Sequence, residues 1–201
     1  MKRFPVVPAR IEFDAQGVPH APDFGDVYHA RAGALAQSRH VFLQGNGLPQ
    51  RWRGRTRFTV LETGFGLGNN FLATWDAWRA DPERCARLHY VAIDLHPPRL
   101  DDLQRAHAAS PLPALAAELV AHWPPLSPEL HTLHLDGGRV LLQLAWGDAS
   151  QWLPQLMLEA DAFYLDGFAP ARNEALWSTH VFKPLGRLAA PGATAATWSV
   201  A

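Results

Sequence analysis

The chain has 201 residues, a length that suits one domain and lets it bury roughly 70% of the surface its unfolded form exposes. A formal charge of −1, with 48% apolar and 18% charged residues, excludes a disordered polyelectrolyte and a protein that binds nucleic acid through a diffuse positive field, so any RNA contact must come from a local patch. The single cysteine, Cys85, excludes an intramolecular disulfide and a thiolate-rich metal site, and the ten histidines are scattered, His131 and His134 lacking the i, i+4 spacing of a zinc protease, so no metal is expected.

In chain order, Met1 to Pro5 precedes no apolar core of signal-peptide length, and no stretch approaches the ~20 apolar residues of a membrane span, so the expected location is the cytoplasm with no membrane partner. Residues 1–50, rich in Pro, Gly and His, predict a lead-in of loops and short strands packed on the core, with a helical piece over 33–42 and turns at Gln44-Gly45-Asn46-Gly47. Residues 51–201 are expected to form the main domain. From Arg57 strand-like and helix-like segments alternate, the pattern of an α/β, doubly wound parallel sheet with helices on both faces. Strands are predicted over 58–62, 88–94 and 162–165, and a strand pair over 133–142 joined by an Asp-Gly turn, its second member entering the main sheet. Helices are predicted over 69–79, with Phe71, Leu72, Trp75 and Trp78 on one stripe, over 99–107, 113–123, 148–159 and 176–188. The last strand is predicted over 193–200. A sheet of this kind normally adds a further antiparallel pair, so the C-terminal edge strands are expected to be missing and the domain to be truncated at Ala201.

The sharpest signal is Glu62-Thr63-Gly64-Phe65-Gly66-Leu67-Gly68-Asn69-Asn70, a strand ending in an acid and running through three alternate glycines into a helix. Glycines permit the tight turn and a close ligand approach, and the helix start offers free N–H donors. Asn69 stands where a dinucleotide loop has its third glycine, which weakens a pyrophosphate site. Asp94, Asp148 and Asp166 each follow a predicted strand. Each is either a ligand contact in the crevice or a loop or N-cap carboxylate.

The Glu-x-Gly-x-Gly-x-Gly spacing resembles the first motif of the S-adenosylmethionine methyltransferases. The stretch Asp166-Gly167-Phe168-Ala169-Pro170-Ala171-Arg172-Asn173, together with residues 61–72 and 38–46, is similar to the methyltransferase domain of the MnmC family, which completes 5-methylaminomethyl-2-thiouridine in bacterial tRNA. The likeness spans about residues 25–201, with Leu67 and Asn69 standing where Thr and Leu are expected. It implies a Rossmann-like methyltransferase sheet, S-adenosylmethionine as cofactor and the tRNA anticodon loop as partner. It also implies a separate or missing FAD-dependent oxidoreductase domain. The cofactor residues implied are Glu62, Gly64, Phe65, Gly66, Gly68, Asn70, Asp94 and Asp148, with Asp94 on the ribose hydroxyls and Asp148 at the adenine edge. Those implied for the substrate are Tyr28, Phe168, Pro170, Arg172 and Asn173.

Methylating an alkyl amine needs a free lone pair, yet such amines are mostly protonated at neutral pH, with a model value near ~10. Asp166 suits the catalytic role, accepting one N–H or the excess proton, while the carbonyl of Gly167 or Phe168 fixes the other. Tyr28, Phe168, Trp177 and Trp198 are candidates to stack on adenine or a flipped uridine, core packing being equally open to the two tryptophans. Arg51, Arg53, Arg55 and Arg57 around Trp52 form either a phosphate patch or a solvated basic loop, which Arg31, Arg39, Arg172 and Lys183 would extend. Two alternative readings are a catalytically silent cofactor- or RNA-binding domain and a nicotinamide-dependent oxidoreductase.

Overall fold

The computed structural model describes residues 5–28 and 33–198. Six strands form one sheet in the order β6-β7-β5-β4-β8-β9, where β4 is Arg57–Thr63, β5 Arg87–Asp94, β6 Leu130–Leu135, β7 Val140–Trp146, β8 Ala160–Leu165 and β9 Ala189–Thr197. All neighbours run parallel except β6, which pairs antiparallel with β7. The chain builds outwards from β4 through β5 to β7 and then returns to β8 on the other side of β4. The strand order therefore reverses at β4, and the crevice where such sheets bind ligands lies at the carboxyl ends of β4, β5 and β8.

Alternation along the strands divides the core in two. Val60, Tyr90, Leu142 and Tyr164 face a layer containing Phe42, Trp52, Phe71, Trp75 and Trp78, while Leu61, Val91, Ala145 and Phe163 face Leu153, Val181 and Leu185. The first layer is carried by α1 (Ala34–Ser38), α2 (Asn69–Ala80) and α4 (Pro113–Ala121), with α3 (Leu100–His107) packed on α4. The second is carried by α5 (Ala149–Trp152) and α6 (Thr179–Leu188). Helix α2 follows the predicted stripe: Phe71, Trp75 and Trp78 are fully buried at spacings of four and three, and the helix stops at Asp81, whose carboxylate accepts from Trp52 Nε1 and Arg53 Nε.

Several predicted boundaries shift for identifiable reasons. Helix α1 runs on into a π-type segment, Arg39–Gln44, and the chain turns only at Gly47, whose φ is 64°. Both members of the 133–142 pair join the main sheet, β6 as its antiparallel edge. The predicted helix over 148–159 is cut to α5 and a 3-10 turn over Leu153–Gln155, which carries Pro154. Helix α6 begins at Thr179 because residues 169–178 are held in turns by their own backbone bonds and by Trp177 Nε1, which donates to the Phe168 carbonyl at 3.0 Å. Strand β9 starts earlier than expected, at Ala189, and Val200 and Ala201 lie outside the described residues.

A second, three-stranded sheet, β1 (Glu12–Phe13), β2 (Pro19–Ala21) and β3 (Asp26–Val27), is antiparallel throughout and lies over the crevice. Its strands are too short to be stable alone and lean on the main fold. Phe24 stacks on Phe168 with ring centroids 4.4 Å apart, the Arg105 guanidinium lies over the Phe13 ring, and Ala9 N donates to the Pro97 carbonyl. Among the described residues no helix is long and apolar enough to cross a membrane.

Candidate active site

The crevice encloses a cavity of about 550 Å³, within the size range of small-molecule sites. Its floor is the turn that leaves β4. Gly64 takes φ 89° and Gly68 φ 76°, values that side-chain-bearing residues rarely adopt. A Cβ on Gly64 would lie 2.5 Å from the Asp166 carbonyl oxygen, and one on Gly68 would lie 2.9 Å from the Phe65 ring. The first glycine thus lets the loops after β4 and β8 touch, and the second lets Phe65 fold back under the start of α2.

Two carboxylates are fixed on either side of this turn. Asp94, at the end of β5, accepts from Gly66 N at 2.7 Å and from His96 N at 2.9 Å. Asp166, just beyond β8, accepts from Gly167 N at 2.9 Å and from Asn70 Nδ2 at 2.7 Å. Burial pushes both above the usual carboxylate range, Asp166 to about 6, with the donors pulling the other way. Both line the cavity, as do Asp23 and Asp26 from the three-stranded sheet, against one arginine, Arg10. A wall carrying four aspartates and one arginine favours a cationic ligand. Phe65, Ile93 and Leu95 give it an apolar stretch beside Asp94, and Phe24, Tyr28 and Phe168 a cluster of rings, Tyr28 meeting Phe168 edge-on at 5.7 Å. Burial, with Asp94 next, raises the Tyr28 phenol further, so it stays protonated.

Of the residues expected in the site, Gly64, Phe65, Gly66, Asn70, Asp94, Asp166, Tyr28, Phe168 and Asn173 line the cavity. The others take different places. Glu62 is fully buried behind the wall, its two oxygens accepting from Asn70 Nδ2 and the Tyr90 hydroxyl, and burial raises its acid well above the usual range. Asp148 caps α5, accepting from Ser150 N at 2.7 Å, so the wall there is formed by its neighbours Gly147 and Ala149. Gly68 caps α2. Arg172 donates to the Phe24 and Gly25 carbonyls and ties the small sheet down. Pro170 lies outside the lining, while Trp198 lies within it.

The arginine cluster is largely consumed by the fold. Arg51 donates to the carbonyls of Asn46, Asp161 and Gly192 and to Thr194 Oγ1, Arg53 pairs with Asp81 and Glu83, and Arg55 pairs with Asp161. Arg39 pairs with Asp76, and Arg31 lies outside the described residues. Sequence reasoning missed Asp23, Phe24, Asp26, Gln37 and Ser38 as lining residues. Asp26, Gln37 and Ser38 sit on a two-residue strand and a five-residue helix, and Asp23 and Phe24 on the turn between β2 and β3, none of which carries a periodic signal.

Known proteins resemble this chain in sequence and in fold. The model of a family described as S-adenosyl-L-methionine-dependent methyltransferase matches residues 110–201. The "tRNA 5-methylaminomethyl-2-thiouridine biosynthesis bifunctional protein MnmC" of Methylibium petroleiphilum is 62% identical over 201 residues, covering 100% of this chain and 31% of that protein. Its counterpart in Aromatoleum aromaticum is 60% identical over 197 residues, covering 98% and 31%. The chain thus spans under a third of the length of these relatives. The crystal structure of MNMC2 from Aquifex aeolicus superposes with a TM-score of 0.72 at 22% identity, over 94% of this chain and 59% of that one, a likeness of fold.

Proposed function

We propose that this chain is an MnmC-like S-adenosyl-L-methionine-dependent methyltransferase and that it methylates the amine of 5-aminomethyl-2-thiouridine at the wobble position of tRNA, a reading supported by its likeness to the MnmC proteins. The observation that carries the reading is the pair of fixed carboxylates, Asp94 and Asp166, opening into one acidic cavity across a glycine turn. The cofactor fits this wall: its sulfonium and ammonium are cations for an aspartate-rich lining, and its ribose hydroxyls need an acceptor such as Asp94 beside apolar surface for a base. When bound it supplies an electrophilic methyl group on a positively charged sulfur.

The residues of the chain do the rest. Asp166, ionised above about pH 6, accepts a proton or an N–H from the substrate amine at the oxygen lone pairs left free by Asn70 and Gly167, so that the nitrogen lone pair is exposed for attack. Phe168 and Tyr28 offer ring faces and edges to a base taken out of the anticodon stack. The three-stranded sheet keeps bulk water from the reacting nitrogen. Since the arginines at 51–55 are paired internally, RNA affinity rests on the cavity rim more than on that cluster. An FAD-dependent oxidoreductase domain, on the same or a separate polypeptide, supplies the aminomethyl precursor, and the reaction takes place in the cytoplasm.

The test is calorimetric titration with S-adenosylmethionine and, separately, NADH, followed by transfer of labelled methyl to tRNA bearing 5-aminomethyl-2-thiouridine. S-adenosylmethionine binding with transfer supports the assignment. Binding without transfer would make the chain a silent binding domain, and binding of NADH alone would overturn the cofactor.

A further inference from the structure

Asn70 stands at the start of α2 with its amide nitrogen between two carboxylates, 2.7 Å from Glu62 Oε1 and 2.7 Å from Asp166 Oδ2. A side-chain amide has two N–H donors and one carbonyl acceptor. Here the full capacity is used, because Asn70 Oδ1 accepts from Ser38 Oγ at 2.5 Å. A hydroxyl can serve either end of an amide, whereas a carboxylate calls for the nitrogen, so Glu62 and Asp166 fix which way the group faces. The two ends of this bridge differ in burial. Glu62 is fully buried and its second oxygen accepts from the hydroxyl of Tyr90, itself fully buried, at 2.9 Å. Asp166 is half-buried and lines the cavity.

We propose that Asn70 is a positioning residue for Asp166: its amide ties the carboxylate that faces the cavity to the fully buried Glu62–Tyr90 pair in the core, with Ser38 holding the amide's other end. This moves Glu62 and Asn70 from contacts with the cofactor to supports of the proton acceptor. It rests on the role given to Asp166 above, although the bridge itself can be measured without methyl transfer. The bridge holds Asp166 in one rotamer and supplies one of its two hydrogen-bond donors, leaving the remaining lone pairs for the amine.

The bridge also bears on when Asp166 ionises. The charged and titratable groups around it are Glu62 from β4, Asp94 from β5 and the phenol of Tyr90, against the two donors Asn70 and Gly167 N. Without the amide, burial and the neighbouring acids act against one donor only, and Asp166 must protonate at higher pH.

The test uses the 201-residue chain labelled with 13C at the aspartate carboxyls, titrated by NMR from about pH 4 to about pH 8, with Asp166→Asn assigning the resonance. Asn70→Leu keeps the branched shape in a bulkier side chain and removes the donor; Asn70→Ser is a milder change whose hydroxyl is too short to span both acids. In both variants the Asp166 titration is expected to move upward, by about one pH unit in Asn70→Leu. Methyl transfer at neutral pH is expected to fall about 10- to 100-fold in kcat, with the KM for S-adenosylmethionine little changed. A merely structural asparagine would lower stability and leave the titration in place. Either folded variant titrating Asp166 as the wild type does would overturn the proposal. A wild-type chain that transfers no methyl would instead sink the role of Asp166, and the NMR titration would still judge the bridge.

Discussion

The two walls of the cavity are held by different means. The wall at the ends of β4, β5 and β8 grows from strands buried on both faces, and each of its two carboxylates is fixed by two N–H donors 2.7 to 2.9 Å away. The opposite wall, residues 7–28 with β1 to β3, has strands of two or three residues, exposed side chains such as Val7 and Val27, and a handful of attachments through Phe24, Arg172 and His96. The first wall has its polar groups arranged before any ligand arrives, the condition under which electrostatic contributions to catalysis are largest. The second has the shallow packing of a segment that opens at low free-energy cost. Chemistry belongs to the rigid side and access to the loose side.

The contrast predicts a ranking of effects. Asp166→Asn should do most, lowering methyl transfer by about 10²- to 10⁴-fold in a single-turnover assay while leaving S-adenosylmethionine affinity within a few-fold of wild type. A loss of affinity with unchanged transfer would place Asp166 in binding instead. In the wild type the rate should fall below about pH 6 as Asp166 takes up a proton. The stability effect has the opposite sense. Since the folded value lies above the ordinary 3.8, ionisation disfavours the fold, and the contribution of Asp166 to stability is full below that value and lost as pH rises through about 6. Asp94→Asn should come next, weakening cofactor binding about 10-fold in calorimetry through one charge-assisted bond.

Changes on the loose wall should be smaller and of another kind. Phe24→Ala removes a stacked ring worth about 0.5 to 1.5 kcal/mol, and should raise the KM for tRNA and speed hydrogen exchange over residues 5–28 with little change in kcat. Asp148→Ala should cost about 1 kcal/mol of stability, as loss of a helix cap does, and leave cofactor affinity unchanged. A marked loss of affinity there would mean that Asp148 leaves its cap to meet the ligand.

The rigid wall is also the part that was legible in the sequence. The β-prone runs over 58–62 and 88–94, the glycine run and the acids after β5 and β8 are local patterns whose consequence is local, so the sheet and the crevice followed from them. Most of what escaped depends on partners far along the chain, with Asp148 the exception. Asp148 has the same sequence context as Asp94 and Asp166, an acid just past a strand. Its carboxylate goes to Ser150 two residues on, whereas theirs face the cavity as well as their own backbone partners. Arg51 and Arg55 looked like a surface patch until β8 and β9 brought Asp161, Gly192 and Thr194 to them from more than 100 residues away. Arg172 likewise gives its guanidinium to the carbonyls of residues 24 and 25. Residues 1–50 were expected to hold short strands, but the positions of those strands could not be read, because two or three residues cannot display a period.

The contact between Gly64 and the Asp166 carbonyl has a practical bearing on how variants of this chain are interpreted. Alanine placed in a glycine-rich turn is commonly taken to probe the cofactor alone. Here the methyl group added by Gly64→Ala would be driven into the backbone that carries the proton acceptor, and backbone yields less readily than the end of a side chain. An inactive Gly64→Ala protein would therefore report on both halves of the reaction at once. Gly66 also takes a positive φ, 53°, but its added Cβ would meet only the Tyr28 ring, at 3.4 Å, so the same substitution there leaves the Asp166 backbone untouched.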